Sequence, residues 1–293
     1  MDSRLAVLGI KRYMSLDRSE ISVYGSRVPR ESVVAGLTFF FVPICFYLDA
    51  GADRVFQNTL GVGAWLCLFV LLAAEREAVR VQVGVAIIFA TLGEHFASMY
   101  MEGYIYRLKN VPAFVPPGHG LVYLTAVVLA RSKLFSCYQE SITWVVLLII
   151  SVWAFWGLMY APRRDVVGFA LFFVFSLCLF AGPSPRVYLG AFFITSWLEL
   201  VGTYLGTWRW VMIDPASGWS QGNPPSGVAA WYCLVDAVAI GGAPWITRFL
   251  TVLSIKTRYS GFLGRYETFG VLDSLRWCVG HPKLPVFALI LFL

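Results

Sequence analysis

Apolar stretches of about 20 residues follow one another along most of the chain, and each is long enough to cross the hydrocarbon core of a bilayer as a helix. They lie near 33–52, 55–74, 81–101, 113–130, 142–160, 165–182, 187–206 and 227–248. Hydrophobic residues make up 58% of the 293 residues and charged residues only 14%, a balance that is rare in water-soluble domains. The sequence therefore predicts an all-α integral membrane protein, a bundle of about eight transmembrane helices without a large soluble domain.

The distribution of basic residues predicts how this bundle is oriented. With a cytoplasmic N-terminus, 17 of the 23 basic residues fall in the tails and in loops that stay inside. Cytoplasmic loops of membrane proteins carry such an excess of lysine and arginine. We therefore expect both termini in the cytoplasm and the chain in the cell membrane, inner or plasma. Arg163 and Arg164 are an exception, since they fall in an outer loop.

The predicted spans divide the chain into four parts. We expect a basic cytoplasmic tail over 1–32, two four-helix halves over 33–130 and 131–250, and a basic C-terminal region over 251–293 with a short apolar end. The six cysteines are scattered without metal-ligand spacing, so we expect free thiols. Because the net charge of +6 is explained by the inner loops, we expect no nucleic acid partner.

Polar side chains inside the spans are the best pointers to function, because such groups are costly in lipid unless they face a partner or water. Six of them stand out, namely Glu94, His95, His119, Glu199, Tyr232 and Asp236. The predicted orientation places them between the middle of the membrane and its outer face, so we expect one shared pocket. For any one of these residues alone, a structural ion pair or interhelical hydrogen bond is the favoured interpretation, and it is their convergence at one depth that favours a functional site. Adjacent Glu94 and His95 diverge by about 100° around a helix, so one of them can face a neighbouring span.

Two proline pairs precede inward-running spans, in the motifs P-P-G-H-G (116–120) and N-P-P-S-G (223–227). Before each motif stands an outward span with a glutamate and then an aromatic-basic loop. This recurrence predicts two parallel four-helix repeats related by an axis along the membrane normal, with a site at their junction. Chance recurrence in a chain with 14 prolines is the alternative. The helix after the first motif is predicted to run from about 118 to Arg131, too short to cross a bilayer unaided.

The seventh span and the loop after it are rich in glycine and tryptophan. Gly202 and Gly206 form a G-x-x-x-G motif, which lets a neighbouring backbone approach closely. Trp208, Trp210 and Trp219 in the following loop are typical of the aromatic belt at a membrane interface. The second interpretation is a lid over the pocket that holds a flat or greasy substrate.

These motifs carry two resemblances. The proline motifs, with Glu199-Leu200-Val201-Gly202 between them, resemble an uncharacterised group of bacterial polytopic membrane proteins, which implies no activity. The run Glu199-x-x-Gly202-x-x-x-Gly206 is similar to a segment of the membrane carotenoid hydratases, in which aromatic residues follow. It covers under a tenth of the chain, and Trp208-Arg209-Trp210 departs from the tyrosine pattern of that family. The second likeness implies chemistry on an isoprenoid.

Two functions fit the predicted pocket. The first is a hydratase-like or isomerase-like enzyme for a lipid or isoprenoid, because burial favours the protonated form of a carboxyl and makes it a competent general acid. In that enzyme Glu94 and Glu199 act as acid and base, and His119 relays a proton. Asp236 and Tyr232 support them. The second is a proton-coupled transporter of a small solute or lipid, in which the same acids bind and release protons during alternating access.

Other functions rank below these two. A metal site built from His95, His119 and nearby carboxylates comes third, because no tight ligand motif accompanies them. The basic region from Lys256 to Lys283 can also dock a cytosolic protein or anionic headgroups. The partners that the sequence predicts are the bilayer and a hydrophobic or lipid-like small molecule. It identifies no cofactor and no oligomeric state.

Overall fold

The computed structural model of the chain describes residues 20–23 and 26–259, and the side chains of 30–252. Most of the predicted N-terminal tail and of the C-terminal region, including its short apolar end, lies outside the described residues. Within the described part, the chain is mostly helical with two short antiparallel pairs of strands.

The helices are α1 (Arg30–Ala50), α2 (Arg54–Ala73), α3 (Glu77–Glu94), α4 (Val115–Arg131), α5 (Lys133–Cys137), α6 (Gln139–Met159), α7 (Val166–Ala181), α8 (Pro185–Leu205) and α9 (Ala229–Tyr259). A π-helical turn (His95–Tyr100) extends α3. The strands are β1 (Glu20–Val23), β2 (Ser26–Pro29), β3 (Tyr104–Tyr106) and β4 (Trp208–Trp210). Strand β1 pairs with β2, and β3 pairs with β4. Each predicted span coincides with one helix, and α9 runs beyond the predicted end of the last span.

Six of the described helices are long and apolar enough to cross a membrane, namely α1, α2, α3 with its π-helical turn, α6, α8 and α9. Their outward faces carry large apolar side chains such as Phe40, Val70 and Leu148, which are 73%, 72% and 65% exposed. A continuous surface of this kind is compatible with lipid and not with water. The prediction of a helical, multi-pass membrane protein is therefore confirmed.

The other two predicted spans correspond to shorter helices, with 17 residues in α4 and 16 in α7. Most residues of α4 are buried, because it packs against α1, α2, α3 and α8. A helix enclosed by protein on nearly all sides can be apolar all round without facing lipid itself. It begins at Val115, earlier than predicted, and both prolines lie in its first turn, where the missing N–H costs no hydrogen bond.

A buried aspartate fixes the loops at the end of the bundle where α7 begins. Asp165 is the N-cap of α7 and accepts a hydrogen bond from the Gly168 N–H at 2.9 Å. Its carboxylate also accepts from the Gly222 and Ser226 N–H groups, each at 2.7 Å. These bonds tie the start of α7 to the loop that precedes α9. Arg163 also ties loops together at this end of the bundle.

The guanidinium of Arg163 donates to the backbone carbonyls of Trp210, Val211 and Gln221. An arginine engaged by three carbonyl groups has a structural task in its loop. This explains why Arg163 stands against the trend of basic residues along the chain.

A second charged cluster joins three helical segments at the opposite end of the bundle. Glu75, between α2 and α3, pairs with Arg30 at 2.9 Å and with Arg131 at 2.7 Å. Burial favours a higher pKa for Glu75, but the hydrogen bonds and charges of Arg131 and Arg30 outweigh it, so this pKa lies below its usual value. The cluster therefore holds the ends of α1, α2 and α4 together.

Candidate functional site

Two glutamates at one end of the bundle organise the candidate site. Glu94 is the last residue of α3, and Glu199 lies near the end of α8. Each is followed by a short strand, β3 after α3 and β4 after α8. The two strands pair antiparallel, so that Tyr104 lies opposite Trp210 and Tyr106 opposite Trp208. This pairing brings the aromatic residues of both strands to the two glutamates.

Glu94 is held by three donors. Its Oε2 atom accepts hydrogen bonds from the Tyr104 hydroxyl at 2.5 Å and the Tyr106 hydroxyl at 2.6 Å. Its Oε1 atom lies 2.9 Å from Nε2 of His119, in the first turns of α4. Burial, and after it the charge of Glu94, raises the pKa of both tyrosines well above its usual value. Both phenols therefore keep the protons that they donate to the carboxylate.

Glu199 is 4% exposed and is held less tightly. Its Oε2 atom accepts from the indole N–H groups of Trp208 at 3.0 Å and Trp210 at 3.1 Å. Its Oε1 atom has only a long contact, 3.5 Å, from the Tyr232 hydroxyl. One carboxylate oxygen is thus anchored by two donors, whereas the other has a single long contact.

Ring contacts join the two glutamate centres into one site. The rings of His119 and Tyr232 stack with centroids 5.7 Å apart, and those of Tyr104 and Trp210 lie 4.7 Å apart. His119 belongs to the Glu94 centre and Tyr232 to the Glu199 centre. The structure thus brings together four of the six predicted site residues: Glu94, His119, Glu199 and Tyr232.

His95 lies apart from the site, which corrects the prediction that places it in the pocket. Its side chain is exposed, and its Nδ1 atom lies 2.8 Å from the carbonyl oxygen of Thr91 one turn earlier. Adjacent residues of a helix point in different directions, and Glu94 is the one that faces the bundle.

Asp236 also lies apart from the two glutamates. It is 2% exposed and is one helical turn beyond Tyr232, further from the start of α9. Within the described part of the chain, no hydrogen bond joins it to Glu94 or Glu199. Its neighbourhood contains Tyr123 of α4 and Tyr188 of α8, with which it interacts electrostatically.

The glycine motif of α8 has a different task from the predicted one. A Cβ atom at Gly202 would lie 2.0 Å from the ring of Trp208, so this glycine makes room for an indole and not for a neighbouring backbone. Gly206 ends α8 with a φ of 73°, a left-handed conformation that glycine adopts without strain. The two glycines therefore let the chain turn back and place Trp208 against Glu199.

Sequence reasoning missed the four aromatic donors, Tyr104, Tyr106, Trp208 and Trp210. The two tryptophans were interpreted first as an interfacial belt, but Trp208 is buried and both donate to Glu199. Trp219, which is 51% exposed, retains the belt interpretation. The sequence feature that indicates these donors is an aromatic-x-aromatic triplet about ten residues after each of the two glutamates.

The arrangement suits proton transfer next to an apolar ligand. A carboxyl with one loosely held oxygen near an imidazole can donate or accept a proton, and the surrounding aromatic faces can stabilise a positive charge. Among the residues that the structure describes, no group of three or more His, Cys, Asp or Glu side chains is placed to hold a metal ion. No protein-family model, no curated protein and no solved structure matches this chain.

Proposed function

We propose that the chain crosses the cell membrane, inner or plasma, eight times with both termini in the cytoplasm. The excess of basic residues in the predicted inner segments supports this orientation. The enclosure of α4 by other helices supports counting it as a span despite its length, because its apolar surface contacts protein. In this topology the two glutamates lie in the outer half of the membrane.

The two four-helix halves are, in our proposal, parallel repeats. Helix α3 packs on α9 and its counterpart α8 packs on α4, while α2 packs on α4 and α7 on α9. Asp53 caps α2 as Asp165 caps α7. Each glutamate, Glu94 or Glu199, accepts two hydrogen bonds on one oxygen from the strand after its helix. Antiparallel pairing of equivalent strands is what a twofold axis along the membrane normal produces.

The proposed function is that of a membrane-embedded enzyme that performs acid/base chemistry on a lipid or isoprenoid, of the hydratase or isomerase type. The observation that carries it is the unequal anchoring of the Glu199 carboxylate, with Oε2 held by two indoles and Oε1 contacted only at 3.5 Å. Glu199 donates a proton through Oε1 to a carbon or oxygen atom of the substrate. The Glu94–His119 pair takes up the proton that the substrate releases.

The substrate class follows from the surroundings of the carboxylates. Protonation of a carbon–carbon double bond creates a positive charge on carbon, which aromatic faces stabilise. Tyr104, Trp208 and Trp210 supply such faces beside the two glutamates. Glu94 and Glu199 belong to α3 and α8, whose outward faces carry exposed apolar side chains such as Leu92 and Leu200, so a hydrophobic substrate is expected to approach from the bilayer. The resemblance of the α8 segment to carotenoid hydratases agrees with an isoprenoid.

Deuterium exchange tests this proposal without knowledge of the substrate. Membranes that contain the wild type are incubated with lipid or isoprenoid extracts in D₂O, and carbon-bound deuterium is measured by mass spectrometry. We expect protein-dependent incorporation into one lipid class and at least a tenfold loss in Glu199→Gln. The matched control is Glu140→Gln, since Glu140 is exposed on α6. Unchanged incorporation in a well-folded Glu199→Gln variant would refute the proposed chemistry.

A proton-coupled carrier is the second candidate. The position of the site between two packed halves favours it, because carriers of repeat architecture hold their substrate at such a junction. Proteoliposomes separate the two functions. A carrier accumulates a solute when a pH gradient is applied and leaves it chemically unchanged, whereas the enzyme alters its substrate without a gradient.

A further inference from the structure

Asp236 is a buried acid that the two-glutamate site does not use. It is 2% exposed, and its Oδ2 atom has no hydrogen-bond partner. Among the residues that the structure describes, it takes part in no ion pair with a lysine, arginine or histidine. It lies seven residues after the start of α9, about 10 Å along the helix. It therefore sits well inside the bundle.

Burying a carboxyl group in this position is energetically unfavourable. Burying an unpaired polar group costs several kcal/mol, and a carboxyl within a membrane bundle is costlier still when no cation accompanies it. An asparagine or a leucine would fill the same space at a lower cost. Intramembrane acids without a partner are typical of proton relays and ion pathways.

The groups around Asp236 are of a kind that can exchange protons with it. Four titratable groups interact electrostatically with Asp236, namely Tyr123 of α4, Cys178 of α7, Tyr188 of α8 and Cys233 of α9 itself. Helix α3 contributes Gln82, whose Oε1 atom accepts a hydrogen bond from the Tyr123 hydroxyl at 3.1 Å. None of these groups carries a fixed positive charge.

Polar residues of α9, α4 and α3 lie at successive depths below the site and form what we call the polar line: Tyr232, Asp236, His119, Tyr123 and Gln82. Tyr232 and Asp236 are four residues apart on α9, as are His119 and Tyr123 on α4, so each pair covers about 6 Å on one helix face. Gln82 is in the second turn of α3, 12 residues before Glu94, which corresponds to about 18 Å. The polar line thus spans more than half of a hydrocarbon core of about 30 Å.

We infer that Asp236 is a proton relay that connects the Glu94–Glu199 site with the opposite face of the membrane, by way of Tyr123 and Gln82. A proton enters from the site through Tyr232 and is taken up by Asp236, which releases its own proton towards Tyr123 and Gln82, or the reverse. Each transfer between Tyr232, Asp236 and Tyr123 breaks one O–H bond and forms another, and at Gln82 the amide oxygen gains a proton while the amide nitrogen releases one. The inference rests on the proposed function only in that the two glutamates exchange protons.

Proton flux into liposomes tests the relay directly. The purified full chain is reconstituted with the pH-sensitive dye pyranine inside, and a potassium gradient with valinomycin drives protons across the membrane. We expect wild-type flux above that of protein-free liposomes and at least a tenfold decrease in Asp236→Asn. Asp236→Glu, which keeps the carboxyl, should retain flux. Asp49→Asn, which alters a fully buried acid outside the line, is the matched control and should conduct like the wild type.

Tyr123→Phe removes a single hydroxyl from the line and should also lower the flux at least tenfold. This variant keeps the inference testable if Asp236→Asn does not fold. Wild-type flux equal to that of protein-free liposomes, or flux that survives in Asp236→Asn or Tyr123→Phe, would overturn the relay. Deuterium incorporation at the two-glutamate site is measured separately, so failure of the relay and failure of the proposed chemistry are distinguishable.

Discussion

Replacing Trp208 by phenylalanine removes one of the two N–H donors from Oε2 of Glu199 and keeps an aromatic ring in its place. Glu199 acts as an acid in its neutral form, and a hydrogen bond between neutral groups contributes about 0.5 to 1.5 kcal/mol. Both residues are less than one tenth exposed, so water does not replace the lost donor. We therefore expect Trp208→Phe to lower the free energy of unfolding by about 1 kcal/mol. Glu199→Leu should cost more, because it leaves two indole N–H groups without an acceptor.

A double-mutant cycle isolates this bond from other effects of the substitutions. The free energy of unfolding is measured in mixed micelles for the wild type, Trp208→Phe, Glu199→Leu and the double variant. The coupling energy should be about 0.5 to 1.5 kcal/mol, because the second substitution removes a residue whose hydrogen-bond partner is already gone. Trp219→Phe combined with Glu199→Leu is the control and should give a coupling near zero. A coupling below about 0.5 kcal/mol for Trp208 would refute the view that its indole anchors the carboxylate.

Three other substitutions test the surroundings of the site. Asp165→Ala leaves three buried N–H groups without an acceptor and should lower the free energy of unfolding by about 3 to 6 kcal/mol. The control Asp53→Ala loses one N-cap hydrogen bond and should cost about 1 kcal/mol. Equal losses would contradict the view that Asp165 ties the start of α7 to the loop before α9. Gly202→Val should destabilise the chain because the added Cβ meets a tryptophan ring, whereas Gly63→Ala, with open space around it, should have little effect on the measured stability. Folding lowers the pKa of Glu75 below its usual value of 4.5, so its ion pairs stabilise the chain above pH 4.5 and this stabilisation is lost as the pH falls. The unfolding temperature of Glu75→Gln should therefore decrease less steeply below pH 4.5 than that of the wild type.

The helix positions could be predicted closely because a lipid environment is compatible with few other backbone structures. Lipid requires every backbone polar group to be satisfied within its own segment, so a long apolar run has few alternatives to a helix. Each predicted span accordingly coincides with a helix. The start of α4 was harder to predict, because a proline pair is compatible with a helix that begins before it or after it. The run of α9 to Tyr259 was missed because helix formation continues past the apolar segment.

The convergence of Glu94, His119, Glu199 and Tyr232 could be predicted from their depth along the spans. Depth alone does not specify direction, which is why His95 and Asp236 were grouped with them. His95 faces outward because it follows Glu94 around the helix, and Asp236 lies one turn deeper. The partners of the glutamates were not predictable in this way, because β3 and β4 lie in loops whose path depends on how both halves pack.

The two glutamates have similar positions but different donors, and this difference assigns their roles in the proposed enzyme. Glu94 accepts phenol hydrogen bonds of 2.5 and 2.6 Å and contacts an imidazole, so its charged form is strongly stabilised. Glu199 accepts indole hydrogen bonds of 3.0 and 3.1 Å, an ordinary length for N–H donors, and no imidazole contacts it. Two carboxyls whose surroundings stabilise charge unequally can serve as base and acid in one site. Neutralising Glu199 removes less stabilising free energy than neutralising Glu94. Glu199 is therefore the carboxyl suited to carry the proton that the substrate receives.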